Sequence, residues 1–144
     1  MMIRMALMAV GLLGWMILPV DAAEKDPMKV RVPADQLAAA QKLKSPVAAT
    51  DVVAKGKELY EGKGTCLKCH GVTGQGDGPG AKLVRPSPRN LTNHEWQKAR
   101  TDGELFWIIK NGSPGTGMVS LLPSDINETE AWEVIAEIRT FGAM

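Results

Sequence analysis

The chain has 144 residues and a formal net charge of +1 at pH 7. This length suits one ordinary domain, and the absence of a basic run interleaved with aromatic residues excludes a nucleic-acid-binding protein. The charge is unevenly placed: residues 51–100 hold nine Lys and Arg against five Asp and Glu, whereas residues 101–144 hold two against seven. This asymmetry indicates either an acidic-patched protein partner or the chance unevenness of a small domain.

The first 22 residues have the pattern of an export signal. Residues 1–4 form a short basic segment, residues 5–20 carry no charge, and residues 20–22 offer a small-residue cleavage site. Sixteen uncharged residues interrupted by Pro19 are short for a membrane span, which needs about 20. We expect residues 1–22 to be a cleaved signal peptide, with a retained N-terminal anchor as the alternative. Either one exports the domain, to the periplasm if the source is bacterial.

Residues 23–50 are predicted to form an N-terminal extension that packs over the domain or stays mobile. It contains one short helical candidate at residues 34–43, between Pro33 and Pro46. The domain proper is predicted to cover residues 51–144.

Three main helices are predicted in this domain from start and stop signals. These signals are Thr50 and Gly62 for the first helix, Thr101 or Asp102 and Gly112 for the second, and Asn127 with Glu130 as a capping-box pair for the third. Residues 71–95 contain five glycines and three prolines without periodicity, and a loop this long in a small domain needs a ligand to organise it. No strand pattern is present. The sequence therefore predicts an all-α domain with three main helices and two long loops.

The chain has two cysteines, Cys66 and Cys69, and His70 directly follows the second. C-x-x-C-H is the attachment signature of a c-type haem. The two thiols, one helical turn apart, add to the vinyl groups of the porphyrin, and the imidazole then lies under the iron as an axial ligand. We therefore predict one covalently attached haem c.

Three other interpretations of the cysteines remain. A thioredoxin-like dithiol needs a βαβ setting that the pattern lacks. A structural zinc site would use Cys66, Cys69, His70 and His94, but adjacent Cys69 and His70 fit a tetrahedron poorly. The third interpretation is a plain disulfide or a chance match.

Residues 51–141 resemble the class I c-type cytochromes, in particular the monohaem module in the haem subunit of cbb3-type oxidases. The stretch GKELY resembles the family's N-terminal helix, whose glycine and aromatic residue would be Gly56 and Tyr60, and WEVIAEIRTF resembles the C-terminal helix that they meet. The family usually has an aromatic residue where this chain has Glu137. The resemblance implies that this contact is rebuilt around Trp132, or that Glu137 faces solvent or a partner.

The second axial ligand is predicted to be Met118, 48 residues past His70 in a loop rich in glycine and proline. A thioether on iron stabilises the reduced state, which suits electron transfer, and DGELFWIIKNGSPGTGM resembles the family's third helix and methionine loop. The alternatives are ordinary packing of this methionine, a bis-histidine haem through His94, and an open iron site.

The resemblance also implies that a proline carbonyl accepts a hydrogen bond from the other ring nitrogen of His70. Pro88 is favoured over Pro79 for this role. Trp107 and Arg89 are candidates for contact with the haem propionates, although each equally fits a core or a surface position.

The predicted function is electron transfer by a single low-spin haem with His/Met ligation, not catalysis. The protein would be a soluble carrier or the haem subunit of a respiratory, membrane-bound redox complex. Its redox protein partners would meet a basic region made of Lys63, Lys68, Lys82 and Arg85. The alternative function is a haem enzyme or gas sensor with an open or His94-ligated distal site.

Overall fold

Six α-helices and one short 3₁₀ helix form the regular structure of residues 26–143, the part of the chain that this computed structural model describes. The helices are α1 (Ala34–Lys42), α2 (Ala49–Glu61), α3 (Leu67–His70), α4 (His94–Ala99), α5 (Asp102–Asn111) and α6 (Glu128–Phe141), with the 3₁₀ helix at Ala81–Leu83. No strand occurs within residues 26–143, so the all-α prediction is confirmed. The predicted signal peptide, residues 1–22, lies outside the described residues.

None of the helices within residues 26–143 combines the length and the apolar composition needed to cross a membrane.

The helix starts predicted for the second and third main helices are confirmed. Thr101 accepts from the backbone N–H of Glu104, whose carboxylate accepts in return from the Thr101 backbone, and this capping box starts α5. Asn127 and Glu130 make the same reciprocal pair at the start of α6. The prediction for α2 was wrong in detail, because Thr50 lies inside the first turn and its hydroxyl contacts the neighbouring aspartate instead of capping the helix.

The sequence prediction missed α4, which begins at the end of the stretch assigned to loop. Asn93 caps this helix by accepting from the backbone N–H of Trp96 at 3.0 Å, and the Trp96 side chain is buried in the core. Six residues are too few to show a helical hydrophobic period, so the cap was the only available signal.

α2 crosses α6 at a glycine. A Cβ atom at Gly56 would overlap the backbone carbonyl of Glu133, so only glycine allows the two helices to approach this closely. The side chain of Glu137 is buried beside the same glycine. Glu137 therefore lies in the interface between the two helices. The alternative that it faces solvent or a partner was wrong.

The aromatic contact between α2 and α6 is made by Tyr60 and Phe141, whose ring centroids lie 5.3 Å apart in an edge-to-face arrangement. Of the two alternatives drawn from the sequence, the one in which Trp132 rebuilds this contact was therefore wrong as well. Trp132 stacks instead on Phe106 of α5, with centroids 4.3 Å apart and an interplanar angle of 7°. The Tyr60 hydroxyl also donates to the carbonyl of Gly71 at 2.7 Å, which ties the end of α3 to this interface.

Arg139 of α6 ties together the last turn of α4 and the start of α5. Its Nε donates to Asp102 at 2.7 Å, and its Nη1 and Nη2 donate to the carbonyls of Gln97 and Arg100 at 2.8 and 2.6 Å. The residues before α2 also join the fold, because α1 packs on α5 and Val32 and Ala40 are buried.

Candidate functional site

Cys69 and His70 lie on the single turn of α3, and Cys66 is the residue directly before it. The backbone N–H groups of Cys69 and His70 both donate to the carbonyl of Cys66, at 3.2 and 2.9 Å. Gly71, with φ of 78°, ends the turn in a conformation that suits glycine. This short turn presents both sulfur atoms and the imidazole to one cavity.

Cys66 and Cys69 are not joined by a disulfide, and burial raises the pKa of the Cys66 thiol to about 12. A reactive dithiol needs a thiolate with a low pKa, which the burial of Cys66 disfavours. Within residues 26–143, no group of three or more His, Cys, Asp and Glu side chains is arranged to hold a metal ion. The placement of Cys66, Cys69 and His70 at one cavity is consistent with the attachment of a haem c.

The ring of His70 is oriented by a backbone carbonyl. Its Nδ1 lies 2.9 Å from the carbonyl oxygen of Arg89, and because a carbonyl only accepts, Nδ1 carries the proton. Burial lowers the pKa of His70 below its ordinary value, so the ring stays neutral. The unprotonated Nε2 is then the atom available to a metal.

The acceptor for His70 is therefore Arg89, and the prediction of Pro88 for this role was wrong by one residue. The carbonyl of Pro88 faces a different stretch of chain, since a Cβ atom at Gly76 would lie 2.6 Å from it. Successive carbonyls of a non-helical segment point in different directions, and a sequence pattern does not specify which one faces the imidazole. Pro88 still lines the cavity.

The cavity has a volume of about 880 Å³, within the range of roughly 300–1,000 Å³ that is typical of ligand and cofactor sites. Cys66, Cys69, His70 and Met118 all line it. Most of the remaining wall is apolar and comes from the helices and loops around it, through Leu91, Trp96, Leu105, Ile108, Ile109, Leu121, Val134 and Ile138. This apolar wall keeps water from a bound group.

Met118 is positioned by a small network in the loop after α5. Its backbone N–H donates to the Thr116 hydroxyl at 3.1 Å, and its carbonyl accepts from the backbone N–H of Ser113 at 2.9 Å. The Thr116 hydroxyl donates in turn to the carbonyl of Ser113 at 2.8 Å. The side chain of Met118 is half-buried and packs against the core.

The cavity also contains a buried donor that lacks an acceptor. Nε of Arg100 is buried without a hydrogen-bond partner, and Arg100 lines the cavity. A buried N–H normally has a partner, and an acidic group inside the cavity would provide one. Haem carries two propionates, so the residues present fit this cofactor.

The other predicted site residues fall in two groups. Arg89 lines the cavity, as a residue in contact with propionates would, whereas Trp107 is not among the lining residues. His94 is an exposed residue at the start of α4 and does not line the cavity. The structure thus brings Met118, and not His94, to the cavity that contains His70.

Residues 51–136 match the protein family described as cytochrome C oxidase, cbb3-type, subunit III. No curated protein matches the chain. Among solved structures, the chain is similar to a protein of the Kuenenia stuttgartiensis reducing HAO-like protein complex Kustc0457/Kustc0458, with 27% identity and a TM-score of 0.59. The match covers 67% of this chain and 46% of that one, so the chain spans less than half of that relative.

A second similar structure is the KustC0563 c-type cytochrome, with 27% identity and a TM-score of 0.51. This match covers 60% of the chain described here and 95% of the other. The likeness therefore extends over nearly the whole of a small c-type cytochrome.

Proposed function

This chain belongs to the cbb3-type cytochrome c oxidase subunit III family, and from that membership we propose that it transfers electrons through one low-spin haem c with His70 and Met118 as axial ligands. A c-type cytochrome domain is a haem-based electron-transfer module. One observation carries the ligand assignment: the two cysteines, His70 and Met118 line the same cavity.

Each residue has a separate task in this proposal. Cys66 and Cys69 form the thioether bonds, and the Arg89 carbonyl keeps Nε2 of His70 directed at the metal. The sulfur of Met118 favours the reduced state. When bound, the haem supplies an iron that cycles between Fe(II) and Fe(III).

The proposed docking face lies where basic and apolar side chains meet at the rim of the cavity. Lys82 and Arg85 line the cavity and are exposed. Leu83, which follows Lys82 in the chain, is 87% exposed, and Val119, which lines the same cavity, is 69% exposed. An acidic redox partner fits this face, and raised salt would weaken its association. Lys63 contributes less, because it pairs with Glu130 at 2.8 Å.

The partner is proposed to be another redox protein, either met by diffusion or within a fixed complex. Support for a complex comes from the similar protein of the reducing HAO-like protein complex. Export to the periplasm is part of the proposal and rests on the signal pattern of residues 1–22.

The test is the absorption spectrum of the oxidised holoprotein, which shows a weak long-wavelength sulfur-to-iron charge-transfer band when a thioether binds the iron. We expect this band in the wild type and its loss in Met118→Ala, whose reduced form should then bind carbon monoxide. Met28→Ala is the matched control, since Met28 packs against the core from the N-terminal extension and does not line the cavity. An unchanged band in Met118→Ala, or a wild type without it, would contradict the ligand assignment.

A further inference from the structure

One group of side chains lining the cavity carries more positive than negative charge. Its members are Lys29, Arg31, Arg89 and Arg100 against Asp26 and Glu104. They lie close together, because Arg89 and Arg100 both bond to the backbone of residues 26–29. Burial lowers the pKa of Arg89, and repulsion from the nearby Arg31 and Arg100 adds to this shift. The surplus is two positive charges, which matches the two carboxylates of a haem.

Residues 26–32, named here the strap, are fastened by two of these arginines. Arg89 donates through Nη1 to the carbonyls of Asp26, at 3.2 Å, and of Pro27, and through Nη2 to that of Lys29 at 3.0 Å. Arg100 donates through Nη2 to the carbonyl of Met28 at 2.8 Å. These acceptors are neutral, so the bonds fix the strap without neutralising the guanidinium charges.

One nitrogen atom of the Arg100 guanidinium, Nε, is left without any partner. Its Nη1 pairs with Glu104 at 3.2 Å, and Glu104, which is 1% exposed, already uses its other oxygen to accept from the backbone N–H of Thr101 at 2.8 Å. The buried Nε of Arg100 has no partner. Leaving a buried donor unpaired costs free energy, so an acceptor inside the cavity is expected at this position.

We propose that Arg31 and Arg100 bind the haem propionates at the end of the cavity that the strap covers, and that Arg89 holds the strap in place. The N-terminal extension is then a wall of the cofactor site. This inference rests on the proposed function, because the same haem supplies the propionates. The other charged residues lining the cavity are Asp77, Lys82 and Arg85. In the competing orientation of the haem, its propionates would point towards Lys82 and Arg85.

The test compares the two orientations in the holoprotein by resonance Raman spectroscopy, in which the propionate bending band responds to hydrogen bonding at the carboxylates. We expect Arg31→Gln and Arg100→Gln to shift this band and to lower the reduction potential, because a positive charge near the iron disfavours Fe(III). Arg31→Lys retains the charge and should restore most of the potential. Arg85→Gln is the matched control and should leave the band in place.

The decision rests on Arg31→Gln, because Arg31 makes none of the helix contacts of Arg100. If Arg31→Gln leaves the band unmoved, or if Arg85→Gln shifts it as much, the propionates do not lie at the strap and the proposal is overturned. The charge-transfer band of the same samples reports the Met118 ligand separately. Failure of the proposed ligation is therefore distinguishable from failure of the propionate site.

Discussion

His70 and Arg89 are joined by the hydrogen bond between the imidazole Nδ1 and the Arg89 carbonyl, at 2.9 Å. The guanidinium of the same Arg89 holds the strap. The main chain of one residue thus orients the proposed iron ligand while its side chain anchors the N-terminal extension. These two tasks are separable, since a substitution removes the guanidinium and keeps the carbonyl.

Arg89→Met should release the strap without changing the His70 ligand. We expect limited trypsin digestion of the holoprotein to cut faster at Lys29 and Arg31, because their backbone loses its anchor, while the charge-transfer band is retained. Lys82→Met is the control, because it removes one exposed cation elsewhere on the rim of the cavity. Trypsin should cut this variant at Lys29 and Arg31 at the wild-type rate. Equal protection of the strap in Arg89→Met would show that the guanidinium bonds do not hold it.

Gly117→Ala should weaken the binding of Met118 to iron. A Cβ atom at Gly117 would lie 2.6 Å from Cγ1 of Val84, so the methionine loop must move away from the cavity or the valine must yield. We expect a weaker charge-transfer band and a lower reduction potential. The double variant Gly117→Ala with Val84→Gly removes both Val84 atoms that obstruct the new methyl group, Cγ1 and Cβ, and should restore the band and the potential. If the double variant keeps the weak band and the low potential of Gly117→Ala, the contact with Val84 is not the cause of the weaker binding of Met118.

Gly56→Ala should destabilise the packing of α2 on α6. The added methyl group overlaps the Glu133 backbone carbonyl, which cannot rotate away as a side chain can, and overpacking of this kind costs about 1–3 kcal/mol. Chemical denaturation of the holoprotein measures the loss in the free energy of unfolding. Ala54→Ser, at an exposed position of the same helix, should cost less than about 0.7 kcal/mol. Equal effects of the two variants would argue against a close helix contact at Gly56.

The sequence was sufficient for features that depend on local signals. The capping boxes at Thr101 and Asn127 and the C-x-x-C-H turn are each specified by residues within four positions of one another, so their pattern can be read directly. The carbonyl that accepts from His70 comes from a residue 19 positions away. Which carbonyl accepts this bond depends on how an irregular loop is folded, and secondary-structure propensities do not determine the path of such a loop.

The basic group around the cavity was also beyond sequence reasoning. Arg31 and Arg100 are 69 positions apart, and nothing in the local pattern of either distinguishes it from a surface arginine. Arg89 was considered as a propionate contact, but its role in fastening the strap emerges only when the N-terminal extension is placed against the loop. Long-range charge clusters of this kind become visible after the fold is known.

Glu137→Gln should stabilise the protein at neutral pH. Burial raises the pKa of this carboxyl above its ordinary value; on the facing helix α2, Lys57 opposes the shift and Glu61 adds to it. A folded-state pKa above the unfolded one means that the folded state holds more protons between the two values, so the Glu137 contribution to stability falls as the pH rises through that interval. The penalty is full above the raised pKa and absent below the unfolded one.

The amide keeps the shape of the side chain and has no charge to desolvate. We therefore expect thermal unfolding of the Glu137→Gln holoprotein at pH 7 to occur at a higher temperature than in the wild type, with the difference shrinking towards pH 4. Glu133→Gln is the control on the same helix, because the Glu133 side chain is only half-buried, and it should show no such gain. A Glu137→Gln protein that is less stable than the wild type at pH 7 would mean that the attraction between Glu137 and Lys57 outweighs the cost of burial.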